Sequence, residues 1–363
     1  MIAKKYDASK DKMFQILDEA GTIVNAKHEP KLSKEVLLKM YKTAVLGRNA
    51  DIKALQYQRQ GRMLTYAPSM GQEAAQIGTA AAMKPQDWNS PMYRELNAQL
   101  YRGVSLESIY LYWYGNERGS IRDEGIKVLP TNIIIGSQSN LATGLAMASK
   151  IRKTDEVTVF TIGDGGTSHG EFYEGLNYAA SFNAPVVAVI QNNHYAISTH
   201  VSKASKAETL AQKGAAFGIP FIQVDGNDML AMYVASKEAI DRARKGEGPT
   251  LIEAVTYRMG PHTTSDDPSL YRTKEEEQEW ALKDPITRFK KYLIDKGYWS
   301  EKEEEKYLEE INNEINDTFR KVESYGAKVE LEEIFEHTYN EWTPELKEQY
   351  EEYKEFLKSE GVK

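Results

Sequence analysis

Val157-Thr158-Val159-Phe160-Thr161-Ile162 runs directly into Gly163-Asp164-Gly165-Gly166; a helix-compatible segment begins near Gly170, and a second apolar run, Val186–Ile190, ends in Gln191-Asn192-Asn193. Two apolar runs of strand length around a helix make a βαβ unit. Its parallel strands lie in one sheet with their carboxyl ends on the same edge. Open α/β sheets bind ligands beyond that edge, so Asp164 and Asn193 are predicted to emerge side by side. A carboxylate and an amide carbonyl are hard oxygen ligands, suited to Mg²⁺ with phosphate oxygens and water completing the octahedron. The flanking glycines let backbone N–H groups approach a diphosphate. A dinucleotide fold is the competing reading, since Gly163 and Gly165 match the start of G-x-G-x-x-G. However, the sixth position is Ser168, and the second strand ends in Asn192-Asn193 where an acidic residue belongs. An aspartate between the glycines would also repel a diphosphate unless a cation bridged them. The dinucleotide reading loses.

Working outward, further apolar runs at Asn132–Ile135, Phe221–Val224 and Leu251–Tyr257 alternate with helix-compatible segments such as Gln138–Ile151 and Gly170–Phe182. Near-continuous apolar strands alternating with helices indicate an α/β fold, a mostly parallel sheet covered on both faces. That body is assigned to residues 36–273. Helices over Gln72–Met83 and Ser139–Ser149 are rich in Ala, Gly, Ser and Thr, which permits close approach of a neighbouring backbone. Residues 1–35 read as an N-terminal arm, with a hairpin-like piece turning at Glu19-Ala20-Gly21. Residues 274–363 read as a charged helical C-terminal region packed on the same domain. Lys274–Glu277, Glu301–Glu305 and Glu345–Lys358 are solvated faces, while Leu308, Ile311, Ile315 and Phe319 have the spacing of an amphipathic helix docked on the body.

Composition narrows the function. The 363 residues carry 46 Lys+Arg and 54 Asp+Glu, a formal net charge of −8, which argues against a nucleic-acid partner. The absence of cysteine excludes disulfide scaffolds, thiolate zinc sites and a Cys nucleophile. No run reaches the ~18 apolar residues of a membrane span. The N-terminus has no apolar signal region, so a cytoplasmic protein is expected.

Gly163-Asp164-Gly165 with Asn192-Asn193 resembles the thiamine diphosphate motif. The stretch Gly163–Gly175 is similar to the alpha subunits of the thiamine-diphosphate-dependent 2-oxo acid dehydrogenase family, particularly the pyruvate dehydrogenase branch of Gram-positive bacteria. The likeness extends from about Gln58 to Trp299 and includes Gly71-Gln72-Glu73-Ala74, Gln223-Val224-Asp225-Gly226 and Gly246–Glu253. It implies that Asp164, Asn193 and the Tyr195 carbonyl hold Mg²⁺, and that Tyr93, Arg94, Gly165 and Gly166 contact the diphosphate. Ile133 and Ile135 would line the aminopyrimidine pocket. His262 would be the active-site histidine, touching the cofactor and assisting acyl transfer near neutral pH. Glu171 and Glu174 fall where the family places a proton channel between two active sites, although the usual residue at the first of these is Asp. Thr263, Thr264 and Ser265 sit where animal relatives are phosphorylated. The other histidines, His28, His169, His194, His200 and His337, have no chemical context and are expected on the surface or in packing.

The resemblance further implies oxidative decarboxylation of pyruvate, with reductive acetylation of the lipoyl group of a dihydrolipoyl acyltransferase. It implies a beta subunit that supplies the glutamate facing the aminopyrimidine ring, and so an alpha-two beta-two heterotetramer. Only one strand–Gly-Asp-Gly–strand–Asn-Asn unit is present, and the small-residue helices around Ala74–Ala82 and Ala142–Ala148 are candidates for subunit packing. A branched-chain 2-oxo acid or acetoin dehydrogenase is the alternative within the same chemistry. A non-catalytic scaffold chain is the alternative outside it.

Overall fold

A computed structural model describes residues 1–6, 8–10, 12–326 and 330–361. Among them are seven strands: β1 (Trp88–Ser90), β2 (Thr158–Gly163), β3 (Val186–Asn192), β4 (Tyr195–Ala196), β5 (Thr199–His200), β6 (Phe221–Asp225) and β7 (Thr250–Val255). Five form an all-parallel sheet in the order β1-β2-β3-β7-β6, and β4 with β5 forms a small antiparallel pair. The helices are α1 (Ile2–Lys5), α2 (Lys34–Arg59), α3 (Glu73–Ala82), α4 (Leu96–Tyr101), α5 (Leu106–Tyr114), α6 (Ser137–Arg152) and α7 (Gly170–Ser181). There follow α8 (Val201–Ala204), α9 (Met229–Arg244), α10 (Lys274–Ala281), α11 (Pro285–Asp295), α12 (Glu301–Gly326) and α13 (Pro344–Ser359).

Alternation along the central strands explains their continuous apolar sequence. Phe160 and Ile162 of β2 and Val186, Ala188 and Ile190 of β3 face Ala142 and Ala146 of α6 and Phe172 and Leu176 of α7. Val159, Val187 and Val189 point the other way, into a core built with Tyr41 of α2, Ala74 and Ile77 of α3, and Leu230 and Met232 of α9. Both faces are dry, so both sets must be apolar. The register places Ile162 opposite Ile190 and Gly163 opposite Gln191, and Asp164 and Asn193 leave the sheet together.

Both outer edges of this sheet are closed by irregular chain. At β1, Asn89 N–H donates to the Lys127 carbonyl and its own carbonyl accepts from Leu129 N–H, both at 2.9 Å. At β6, Phe14 N–H donates to Gln223 O at 2.9 Å and Phe14 O accepts from Asp225 N–H at 3.0 Å. The N-terminal arm is anchored here again by Asp228, whose Oδ2 accepts from the amides of Ile16 and Leu17, each at 2.6 Å. Leu17 pairs antiparallel with Ile23, and Gly21 turns the piece at φ +78°.

Three expectations change. Asn132–Ile135 is not a strand: Asn132 makes a single bridge to Met92. Its side chain then takes over the local bonding, accepting from Ile134 N–H at 2.9 Å and donating to Ser137 Oγ at 2.7 Å, the short-range competition that Asn offers a strand. The small residues of α3 are not left for a partner subunit. A Cβ on Gly78 would lie 2.6 Å from Met232 Cβ, so that face is consumed by α9. In α6, Ala142 and Ala146 are buried against the sheet and α7, whereas Leu141 and Gly144 stay exposed, so the expectation for this helix is unchanged. Finally, the buried stripe of α12 is Ile311, Ile315, Phe319 and Val322, while Leu308 is 38% exposed. The Phe319 ring stacks on Tyr57 of α2 with centroids 3.7 Å apart.

No helix among the described residues is long and apolar enough to cross a membrane. Truncating the stacked ring should separate the docked turns of α12 from its exposed start. Phe319→Ala is expected to lower unfolding stability by about 3–5 kcal/mol, and Leu308→Ala by no more than ~0.5 kcal/mol. Urea melts followed by circular dichroism measure both, and similar losses for the two variants would refute this docking register.

Candidate active site

Beyond the carboxyl ends of β2 and β3 lies a cavity of about 470 Å³. Tyr93, Arg94, Ile133, Ile135, Asp164, Gly165, Gly166, Asn193, Tyr195 and His262 all stand on its wall. Glu171 and Glu174, on the first turns of α7, do not. They lie at the protein surface, Glu171 with its side chain 47% exposed.

The turn after β2 has no room for side chains. A Cβ on Gly165 would sit 2.5 Å from Ala196 Cβ, and one on Gly166 would sit 2.4 Å from Ile162 Cγ1. Asp164 is 4% exposed, and its Oδ2 has no hydrogen-bond partner. Burial pushes its carboxyl up to about 6, against the pull of its own and the Asn193 backbone amides, Arg258 and Arg94. Asn193 is held by both ends of its amide: Nδ2 donates to Gln72 Oε1, and Oδ1 accepts from Tyr195 N–H, both at 3.2 Å. The following hairpin is strained, with His194 at φ +71° and Ile197 at φ +57°. A β-branched residue in the left-handed region is a true outlier, and such strain collects where function requires it. Arg258 holds this hairpin by donating to Tyr195 O at 3.0 Å and Ile197 O at 2.7 Å.

Two guanidiniums dominate the electrostatics. Arg94 donates to Pro68 O at 2.6 Å and to His262 O at 2.8 Å, while Arg258 binds the Tyr195 and Ile197 carbonyls and the Tyr271 hydroxyl, the last at 2.8 Å. Neither forms an ion pair with a carboxylate among the described residues. His262 Nδ1 lies 3.1 Å from Arg94 Nη2 and 3.4 Å from Arg258 Nη1. Burial, reinforced by both cations, lowers its pKa to about 3. With two donors on Nδ1, the neutral ring carries its proton on Nε2. In this setting the ring can donate from Nε2.

Several wall residues escaped sequence reasoning. Arg258 stands four positions before His262 in the same segment, and its charge beside a strand end was the available signal. Trp113 comes from α5 with no local signal at all. His169, expected to have no chemical context, lines the cavity with Nδ1 3.9 Å from Glu171 Oε2.

The arrangement fits an anionic ligand bridged by a hard cation. Buried guanidiniums without counter-ions favour a phosphate-like group. An unpartnered carboxylate oxygen beside two carbonyl oxygens, from the Asn193 side chain and the Tyr195 backbone, is an oxygen donor set for a divalent ion.

Comparison with known proteins agrees with this chemistry. The family model described as "Dehydrogenase E1 component" matches residues 41–330. The chain is 81% identical over 347 residues to a protein of Acholeplasma laidlawii named pyruvate dehydrogenase E1 component subunit alpha, covering 95% of this chain and all of that one. Proteins of the same name from Staphylococcus aureus and Staphylococcus epidermidis are 45% and 44% identical over 348 residues, covering 96% of this chain and 94% of each.

Beneath Tyr93 and Arg94 lies a buried polar network. Gln76 Nε2 donates to the Arg94 carbonyl at 2.7 Å and to Gln191 Oε1 at 3.3 Å, and Gln191 Nε2 donates to Glu95 Oε1. Burial pushes the Glu95 carboxyl up to about 8. In the unfolded chain this acid ionises near 4.5, so the folded state retains a proton that the unfolded state has lost. Its contribution to stability is complete below that value and is lost as pH rises toward 8. Glu95→Gln keeps the neutral shape without the proton. Relative to this variant, the unsubstituted chain should lose several degrees of melting temperature between pH 5 and 8. Parallel melting curves across that range would contradict a neutral Glu95.

Proposed function

The chain belongs to the dehydrogenase E1 component family, and on that premise we propose that it is the alpha subunit of a thiamine-diphosphate-dependent pyruvate dehydrogenase. The enzyme would oxidatively decarboxylate pyruvate and reductively acetylate the lipoyl group of an acyltransferase component. One observation carries the reading: the unpartnered Asp164 Oδ2 and the two guanidiniums without carboxylate partners face a single cavity.

Asp164, Asn193 and the Tyr195 carbonyl would hold Mg²⁺. Tyr93, Arg94 and the backbone of Gly165 and Gly166 would bind the diphosphate, with Arg258 supplying further positive charge. Ile133 and Ile135 would pack against the aminopyrimidine ring. When bound, thiamine diphosphate supplies a carbon nucleophile and an electron sink for loss of CO₂. The chain's own work is orientation, exclusion of water and placement of one proton. His262, held neutral, presents Nε2–H as a fixed donor toward an oxygen that gains negative charge. Glu171 and Glu174, outside the cavity on α7, would serve proton traffic between sites.

Among the described residues, Asp164 supplies the one carboxylate in the cavity lining. The acid that must face the aminopyrimidine ring therefore comes from another chain in this reading, which supports a beta subunit and an alpha-two beta-two assembly. The wall facing that partner is still open: Ile133 is 56% exposed and Ile197 58%.

Expression with and without the beta subunit, followed by mass measurement and turnover of pyruvate against branched 2-oxo acids, tests the assignment. The pair should turn over pyruvate preferentially, and the isolated chain should be inactive. Full pyruvate turnover by the chain alone would overturn the shared site. Within the complex, Asp164→Asn should weaken cofactor binding at least roughly tenfold, ~1.4 kcal/mol, in calorimetric titration. His262→Ala should bind the cofactor but lose lipoyl acetylation, and equal loss of binding in both variants would make His262 structural.

A further inference from the structure

Lys213 lies behind the Asp164 turn, in the 3₁₀ segment Leu210–Phe217 and outside the cavity lining. Its Nζ donates to both the carbonyl and the hydroxyl of Thr167, each at 2.8 Å. The Thr167 hydroxyl in turn donates to the Asp164 carbonyl at 2.7 Å, where Thr167 N–H also binds at 3.1 Å. Thr167 is 1% exposed, so its bond to Asp164 is buried, while Lys213 reaches it from a partly exposed position.

The polarity of the chain is fixed. An ammonium can only donate, and the hydroxyl has a single hydrogen, which is committed to Asp164. Each bond therefore polarises the next in the same sense, from ammonium to hydroxyl to carbonyl. On its other flank the turn is confined by Ala196 and Ile162, which leave Gly165 and Gly166 no space for a Cβ. The Lys213 ammonium also rests 5.4 Å from the centroid of the Tyr173 ring on α7, which fixes the stem.

We propose that Lys213 is a positioning residue which, through Thr167, clamps the Asp164 turn so that its carboxylate is aimed beside Asn193 for a divalent cation. The proposal rests on the reading of Asp164 as a cation ligand. Removing the ammonium leaves the Thr167 carbonyl and hydroxyl short of a donor, and the turn gains freedom that cation binding must remove.

The experiment is a magnesium titration of the complex at saturating thiamine diphosphate, followed by tryptophan fluorescence, with Trp113 in the cavity, and repeated by calorimetry. Lys213→Met, which keeps the apolar stem, should raise the magnesium Kd about tenfold, ~1.4 kcal/mol. Thr167→Val, nearly isosteric, should do the same, while Thr167→Ser should bind like the unsubstituted protein. The double variant Lys213→Met/Thr167→Val should be no weaker than the worse single one, because both break one chain of bonds. If Lys213→Met does not fold, the Thr167 pair alone decides. Unchanged magnesium affinity in Lys213→Met or Thr167→Val, equal weakening by Val and Ser, or additive losses would overturn the clamp. Absence of saturable, magnesium-dependent cofactor binding in the unsubstituted complex would instead overturn the reading of Asp164 beneath it.

Discussion

The register of β2 on β3 is the constraint from which the site follows. With Gly163 opposite Gln191, a carboxylate and an amide far apart in sequence leave the same sheet edge as neighbours. A slip of one residue would send every β2 side chain to the wrong core, and both cores here are dry. The packing of Phe160 and Ile162 on one face and Val159 on the other thus fixes the position of Asp164 as firmly as any bond at the turn itself.

Much of this was legible because it depends on local patterns. Continuous apolar runs between helices specify parallel strands, and Gly-Asp-Gly at one strand end with Asn-Asn at the next marks the ligand edge. The failures have identifiable physical causes. Ile133, Ile134 and Ile135 look like a strand, but the Asn132 side chain satisfies the local backbone as a turn. The small face of α3 looks available until Met232 of α9 is seen filling it. Leu308 has helical spacing with Ile311 and Ile315, yet it is left exposed near the start of α12, and spacing alone does not show where the docked stretch begins. Arg258, Trp113 and the Lys213 contact with Thr167 required tertiary structure, since no spacing rule joins them to Asp164.

The protonation of His262 is the clearest case of an environment overriding residue type. A histidine near a ligand edge invites an acid–base reading. Two guanidiniums directed at one ring nitrogen, in a partly buried setting, favour the neutral ring with its proton on Nε2. The same guanidiniums bind carbonyls of Pro68, Tyr195, Ile197 and His262, so the charge that would attract a diphosphate also ties together the loops that surround it.

The closed edges of the sheet have a consequence outside catalysis. A five-stranded parallel sheet ends in two rows of unsatisfied amides and carbonyls, which can recruit strands from other molecules. Here the segment through Val128 covers one row and the arm through Phe14 covers the other. None of the arm's described residues lines the cavity. By taking up those backbone groups of β6, the arm leaves less of the edge open as a template on which a foreign strand could add.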